Sequence, residues 1–143
     1  MHMTVLMTPD MANFTGTVHG GDILKQIDQV AYACAARYCG KYVVTLSVDR
    51  VLFKHPIQVG ELVTFYANVN YTGKSSMEVG IKVIAENITN GTVRHTNSCY
   101  VTMIALDKNR KPTQVPKLKC ISETEIRRFA EGEFRKAKRL TED

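Results

Sequence analysis

A chain of 143 residues with 44% hydrophobic content is the size of one ordinary globular domain. Such a domain buries about two thirds of its unfolded surface without metal or disulfide staples. No apolar run approaches the roughly 18 residues of a membrane span, and the opening MHMTVLMTPD lacks the basic and apolar regions of a signal peptide, which points to the cytoplasm. The net charge of +5 is uneven, because residues 107–143 carry 11 Lys and Arg against 7 acids while residues 1–106 carry 8 against 7. A basic tail suits an anionic partner, although a solvated helix face is the commoner fate of such a run.

In chain order, the first predicted element is a helix from Gly21 to Cys39. Ile23, Leu24, Ile27, Val30, Ala31, Cys34, Ala35 and Tyr38 recur at three- and four-residue steps, and Gly40 supplies a stop signal. Nineteen residues span roughly 28 Å, the width of a small domain, so the helix is expected to run through its middle. Four strand-like runs follow. Val43–Phe53 is rich in branched residues; Leu62–Tyr71 puts Val63, Phe65, Ala67, Val69 and Tyr71 on one face; Met77–Ala85 alternates strictly; Thr92–Leu106 is longer and less regular. The gaps between them carry turn chemistry, as in Thr72-Gly73-Lys74-Ser75 and Asn90-Gly91, and short gaps favour antiparallel neighbours. After Pro116, Ser122 and Glu125 form a capping box that opens a charged helix, expected to dock through the stripe Ile126, Phe129, Ala130 and Phe134. The plan is α+β, with a sheet wrapping one long helix. With no repeat, linker or low-complexity segment, residues 1–143 are expected to be one domain, with 118–143 as a basic helical extension. Cys34, Cys39, Cys99 and Cys120 fit neither a zinc pattern nor a C-x-x-C redox pair, and are expected to be reduced and mostly buried.

Within the first helix, Asp28 poses a question. Laid out from Ile23 at about 100° per residue, Asp28 falls at about 140°, between Ala35 and Cys39 and away from the polar arc of Gln26, Gln29 and Arg37. A carboxylate withdrawn from water costs several kcal/mol unless it is paired or protonated. Lys25 is the one charged residue three or four positions away, so either Asp28 sits at the edge of the face tied to Lys25 or it serves a site. Gly20 and Gly21 stand just before, where free amide N–H groups and the helix dipole favour negative charge and the missing side chains let a ligand oxygen approach. Such donors stabilise a developing oxyanion by roughly 3 to 4 kcal/mol each. If the helix of a second subunit ran antiparallel alongside, the glycine end of one could face the Asp of the other. Acyl transfer to water then follows, with Asp28 as nucleophile or general base.

The series HGGDILKQIDQVAYACAARYCG, VVTLSVDRVLFKHPIQVGE, GKSSMEVGIKV, VTMIALDKNRKPTQVPKL and RRFAEGEFRKAKR resembles the hotdog-fold acyl-CoA thioesterases of the cytosolic acyl-CoA hydrolase type, over about residues 8–139. The resemblance implies a long central helix wrapped by a curved antiparallel sheet, with a C-terminal helix. It also implies a homodimer as the minimal active unit, often three dimers in a homohexamer, with the site between subunits. The reaction it implies is hydrolysis of fatty acyl-CoA to free fatty acid and CoA, with no cofactor, since CoA belongs to substrate and product, and with no metal, nucleic acid or membrane partner. On that pattern the helix acid maps to Asp28 and the carbonyl-polarising amide to Gly21. His19 and Gly20 lie beside them, and Lys74, Ser75 and Ser76 match a loop that contacts CoA in relatives. Relatives often carry an asparagine before HGG; here Thr15 and Thr17 occupy the nearest polar positions and Asn13 is the nearest asparagine, so the second polar group is open among the three, or Asp28 and the backbone act alone. A non-catalytic acyl-CoA binding or sensing protein is the alternative. Leu24, Tyr32 and Met77 are candidates to line the acyl pocket.

Overall fold

The structure is a computed structural model describing residues 1–49 and 51–142, without the side chain of Glu142. Its strands are β1 (His2–Leu6), β2 (Tyr42–Asp49), β3 (Leu62–Thr72), β4 (Ser76–Glu86) and β5 (Val93–Leu106); its α-helices are α1 (Gly20–Cys39) and α2 (Glu123–Glu142). The five strands form one antiparallel sheet in the order β1-β3-β4-β5-β2, curled around α1. This is the hotdog architecture.

The period-two pattern locates the core. Val63, Phe65 and Ala67 of β3, Met77, Val79, Ile81, Val83 and Ala85 of β4, and Cys99, Val101, Met103 and Ala105 of β5 are buried on the face toward α1. They pack on Ile23, Ile27, Val30, Ala31, Cys34, Ala35 and Cys39 of the helix. The helix stops where the chain must turn left-handed, since Gly40 has φ +65° and its amide donates to the Ala36 carbonyl (2.8 Å). A side chain there would be strained.

Four expectations are corrected. The sequence reading assigns no strand before the helix, yet β1 pairs with β3, and its five residues are too short for alternation to stand out. The run Val43–Phe53 is a strand only to Asp49; Val51 to Lys54 have no regular structure. Tyr71 does not share a face with Val63 and Phe65, because the register shifts between Val69 and Tyr71 and an extra residue turns the strand over. Tyr71 instead meets Phe129 of α2, ring centroids 4.8 Å apart.

The fourth correction concerns α2. Its capping box forms as expected, with the Glu125 amide donating to Ser122 Oγ (3.1 Å) and the Ser122 amide to Glu125 Oε1 (3.0 Å). The docking stripe does not form as expected: Ile126, Ala130 and Phe134 are exposed and only Phe129 packs. The contact is ionic and aromatic, because Arg135 Nε and Nη2 donate to both oxygens of the buried Glu78 (2.8 and 2.6 Å) and its guanidinium lies 3.6 Å from the Tyr100 ring centroid. A bidentate pair plus stacking fixes orientation in a way an alkyl contact does not. Glu78 and Tyr100 belong to the outer face of the sheet, whose polar residues the binary pattern assigns to solvent.

Candidate active site

Helix α1 begins with two amides that have no acceptor. The His19 carbonyl takes the amides of Asp22 (3.1 Å) and Ile23 (3.3 Å), whereas those of Gly20 and Gly21 donate no hydrogen bond among the described residues. His19 precedes the helix without a side-chain cap; its amide donates to the Met11 carbonyl (2.8 Å) and its ring is exposed. Gly21 is exposed, and a Cβ added there would meet nothing within 4 Å.

Asp28 lies two turns further along and is exposed in the single chain, which corrects the expectation of a withdrawn carboxylate. Asp28 shares an exposed flank of α1 with Leu24 and Tyr32, beside the buried Ala31 and Ala35. Its partner is not Lys25. Thr45 Oγ1, on β2, donates to Asp28 Oδ1 at 2.6 Å. A hydroxyl that donates to a carboxylate holds its oxygen pair in one orientation. Thr45 escapes sequence reading, sitting in a run of branched strand residues with no motif around it.

Asn13 is also organised. Its Oδ1 accepts from the Thr15 amide (2.9 Å), Thr15 Oγ1 (2.7 Å), the Thr17 amide (3.2 Å) and Thr17 Oγ1 (3.2 Å). With the oxygen so engaged, the carboxamide keeps Nδ2 as its remaining hydrogen-bonding group, a donor. The two threonines thus orient Asn13. The loop is itself pinned, as the Asn13 amide donates to the Thr17 carbonyl (2.7 Å) and the Val18 amide to the Ile57 carbonyl (2.8 Å).

The remaining expected residues stand apart. Lys74 is exposed and Ser75 half-buried in the β3–β4 hairpin, while Ser76 is buried as the first residue of β4. In the ladder Met77 pairs with Met103, which pairs with Thr45, so this hairpin lies two strands from Thr45, or about 10 Å. Of the acyl-lining candidates, Leu24 and Tyr32 flank Asp28, but Met77 is fully buried in the core, away from that flank. Among the described residues no group of three His, Cys, Asp or Glu side chains is placed to hold a metal ion, and no helix is long and apolar enough to cross a membrane.

One wall is missing from this surface. Gly21, Leu24, Asp28 and Tyr32 run along an open flank of α1, and beside it β2 is one of the two edge strands of the sheet, with Tyr42, Leu46 and Val48 exposed. An edge strand with apolar side chains invites another strand.

A helix wrapped by a curled sheet, with free amides at its N-terminus and an oriented carboxylate two turns on, defines a protein of the hotdog class equipped for acyl chemistry. Residues 15–92 match the family described as Thioesterase superfamily, and the chain belongs to it, among the acyl-CoA thioesterases of the hotdog fold. Protein VdlD of Helicobacter pylori is 52% identical over 139 residues, covering 97% of this chain and 79% of its own. The cytosolic acyl coenzyme A thioester hydrolase of Rattus norvegicus is 35% identical across 94% of this chain, which spans 37% of that protein. An apo-hexameric acyl-CoA thioesterase superposes with a TM-score of 0.94 at 34% identity, over 99% of this chain and 91% of its own. The acyl-CoA hydrolase of Staphylococcus aureus, solved with butyryl coenzyme A and coenzyme A, gives 0.87 at 31% identity, over 99% and 89%. Alanine variants of that hydrolase at an asparagine, an aspartate and a threonine have also been solved; in its chain these are spaced fifteen and seventeen residues apart, as are Asn13, Asp28 and Thr45 here.

Proposed function

We propose that this chain hydrolyses the thioester of fatty acyl-CoA to free fatty acid and CoA, with Asp28 as nucleophile or as the general base that deprotonates a water. The Gly21 amide polarises the thioester carbonyl, with Gly20 beside it. Asn13 supplies a second donor through Nδ2, and Thr45 holds the Asp28 carboxylate in its reactive orientation. The observation that carries this reading is the hydrogen bond from Thr45 to Asp28 on the same open flank as two amides without acceptors. The matched spacing of Asn, Asp and Thr in the Staphylococcus aureus hydrolase supports the same three residues.

The chemistry follows from charge. As the carbonyl carbon becomes tetrahedral its oxygen turns anionic, and a preorganised amide at a helix N-terminus stabilises that state more than the ground state. The thiolate of CoA is the leaving group. The active unit is a homodimer whose two β2 edges meet, so that Gly21 and Asn13 of one protomer face Asp28 of the other; relatives described as hexameric support three such dimers in a hexamer. His19, Lys74, Ser75 and Ser76 contact the substrate, the Lys74 ammonium suiting a CoA phosphate.

The test is thiol release from CoA thioesters running from acetyl to palmitoyl. The parent releases thiol, and Asp28→Asn loses activity by at least about 1,000-fold while melting temperature and oligomer stay the same. Asp28→Asn turning over at the parent rate overturns the assignment. Tight acyl-CoA binding by the parent without thiol release makes the protein a sensor instead.

A further inference from the structure

Phe53 stands against the start of α1. A Cβ placed on Gly20 would lie 3.5 Å from Cε2 and 3.6 Å from Cζ of the Phe53 ring, an ordinary van der Waals contact, whereas the same atom on Gly21 would meet nothing. The start of the helix is therefore walled by an aromatic ring where a Gly20 side chain would stand and open where a Gly21 side chain would stand. The ring is 49% exposed, yet its place is fixed from both directions. Val51 before it packs on the core, and Ile57 after it is buried and accepts the Val18 amide. Between them the Pro56 carbonyl takes Arg94 Nη2 at 2.6 Å, and Arg94 is itself held by both oxygens of Glu61 (2.6 and 2.7 Å). A large apolar side chain thus stands half-open beside a helix N-terminus, in a segment anchored on both sides of it, a place where burial alone would not put it.

We infer that Phe53 is a specificity-determining residue, its ring touching the first carbons of the acyl group while the Gly21 amide holds the thioester oxygen. The inference rests on the thioesterase reading and adds to it the part of the substrate the ring reads. A thioester carbonyl has two arms. The sulfur arm of CoA continues through polar amides to phosphates, and the acyl arm is hydrocarbon, so an aromatic wall beside the oxygen site complements the acyl arm. Leu24, half-exposed one turn along the same flank, continues the apolar surface toward Asp28.

Each methylene withdrawn from water against such a wall changes relative rates about fourfold. The experiment measures kcat and KM for acetyl-, butyryl-, octanoyl- and palmitoyl-CoA with the full chain, Phe53→Ala, Phe53→Leu and Phe53→Trp, together with inhibition by CoA, which has no acyl arm. Phe53→Ala is expected to lower kcat/KM for butyryl- and octanoyl-CoA about tenfold relative to acetyl-CoA, with CoA inhibition unchanged. Phe53→Leu restores most of the loss, and Phe53→Trp moves the preference toward acetyl. An unchanged chain-length profile overturns the inference, as does a uniform loss over all four substrates, with or without a change in oligomeric state. If Phe53→Ala fails to fold, the leucine and tryptophan profiles decide by the same criteria. A parent that releases thiol while its profile ignores position 53 sinks this inference alone; a parent that releases none sinks the thioesterase reading and this with it.

Discussion

Thr45 and Asp28 form the contact on which the proposed chemistry turns, and removing one side of it separates orientation from charge. Thr45→Val keeps the branched shape that β2 requires and deletes the hydroxyl that donates to Asp28 at 2.6 Å. A hydrogen bond to a charged group contributes about 1.5–3 kcal/mol, so kcat is expected to fall roughly 10- to 100-fold with KM little changed, read by steady-state thiol release. Equal rates for Thr45→Val and parent would remove Thr45 from the mechanism. The thiols give a second test at this scale. Burial pushes the Cys99 thiol up to about 12 and also raises that of Cys34, while Cys120 is partly accessible. Because the thiolate is the reactive form, a thiol reagent at pH 8 is expected to modify Cys120 first and Cys99 only on unfolding, as peptide mass mapping would show. Early modification of Cys99 would contradict the packing.

At the scale of elements, helix α2 is held by close approach as much as by charge. A Cβ at Gly132 would stand 2.7 Å from Tyr71 Cβ and 3.1 Å from Glu78 Oε1. Gly132→Ala improves helix propensity but pushes the helix off the sheet, for a net loss of roughly 1 to 2 kcal/mol in chemical denaturation. A stabilised variant would show that α2 does not dock there. The segment carrying Phe53 is tied down by Glu61, whose carboxyl is held below the usual range by hydrogen bonds from Arg94, opposed by burial and helped by the Gln58 amide. A depressed carboxyl adds stability above its unfolded value of 4.5, and that stability is lost as pH falls through the folded value. Glu61→Gln should therefore melt below the parent at pH 7 by roughly 2 kcal/mol, with Arg94 partly solvated, and the gap should close below pH 4.5. The same elements show what a sequence can disclose. Helix α1, its glycine stop, the alternation of β4 and the Ser122–Glu125 box were legible because each rests on local periodicity or a local hydrogen bond. The turnover of β3 before Tyr71 was not, since a bulge adds one residue without a signature. Nor was the docking face of α2, because Arg135 reads as a surface charge until Glu78 and Tyr100 are seen beneath it. Asp28 was legible as an anomaly on its helix, but its partner comes from a strand seventeen residues away.

At the scale of the whole molecule, one chain displays the residues of the proposed catalytic surface along an open flank of α1. Gly21 and Asp28 lie open, Asn13 is half-buried, and the free β2 edge exposes Tyr42, Leu46 and Val48. If two protomers meet along that edge, each of the two sites takes its carboxylate from one chain and its amide donors from the other. Shared sites have a consequence that self-contained ones lack. Asp28→Asn and Asn13→Ala are each expected to be inactive as pure homodimers, since every site lacks one member. When the two variants are coexpressed and assort at random, half the dimers are mixed, and each mixed dimer holds one site with Asp28 and Asn13 both intact and one with neither. Activity should return to about a quarter of the parent level per chain, and should be absent when the variants are purified separately and mixed too briefly to exchange. Sites built within single chains give no recovery at any mixing ratio. That result would leave Thr45 and Asp28 as they stand but would deny that a second copy completes the cleft. Leu46→Lys, which charges the exposed β2 edge, should dissociate the dimer in sedimentation velocity and abolish turnover together, tying the missing wall to that strand.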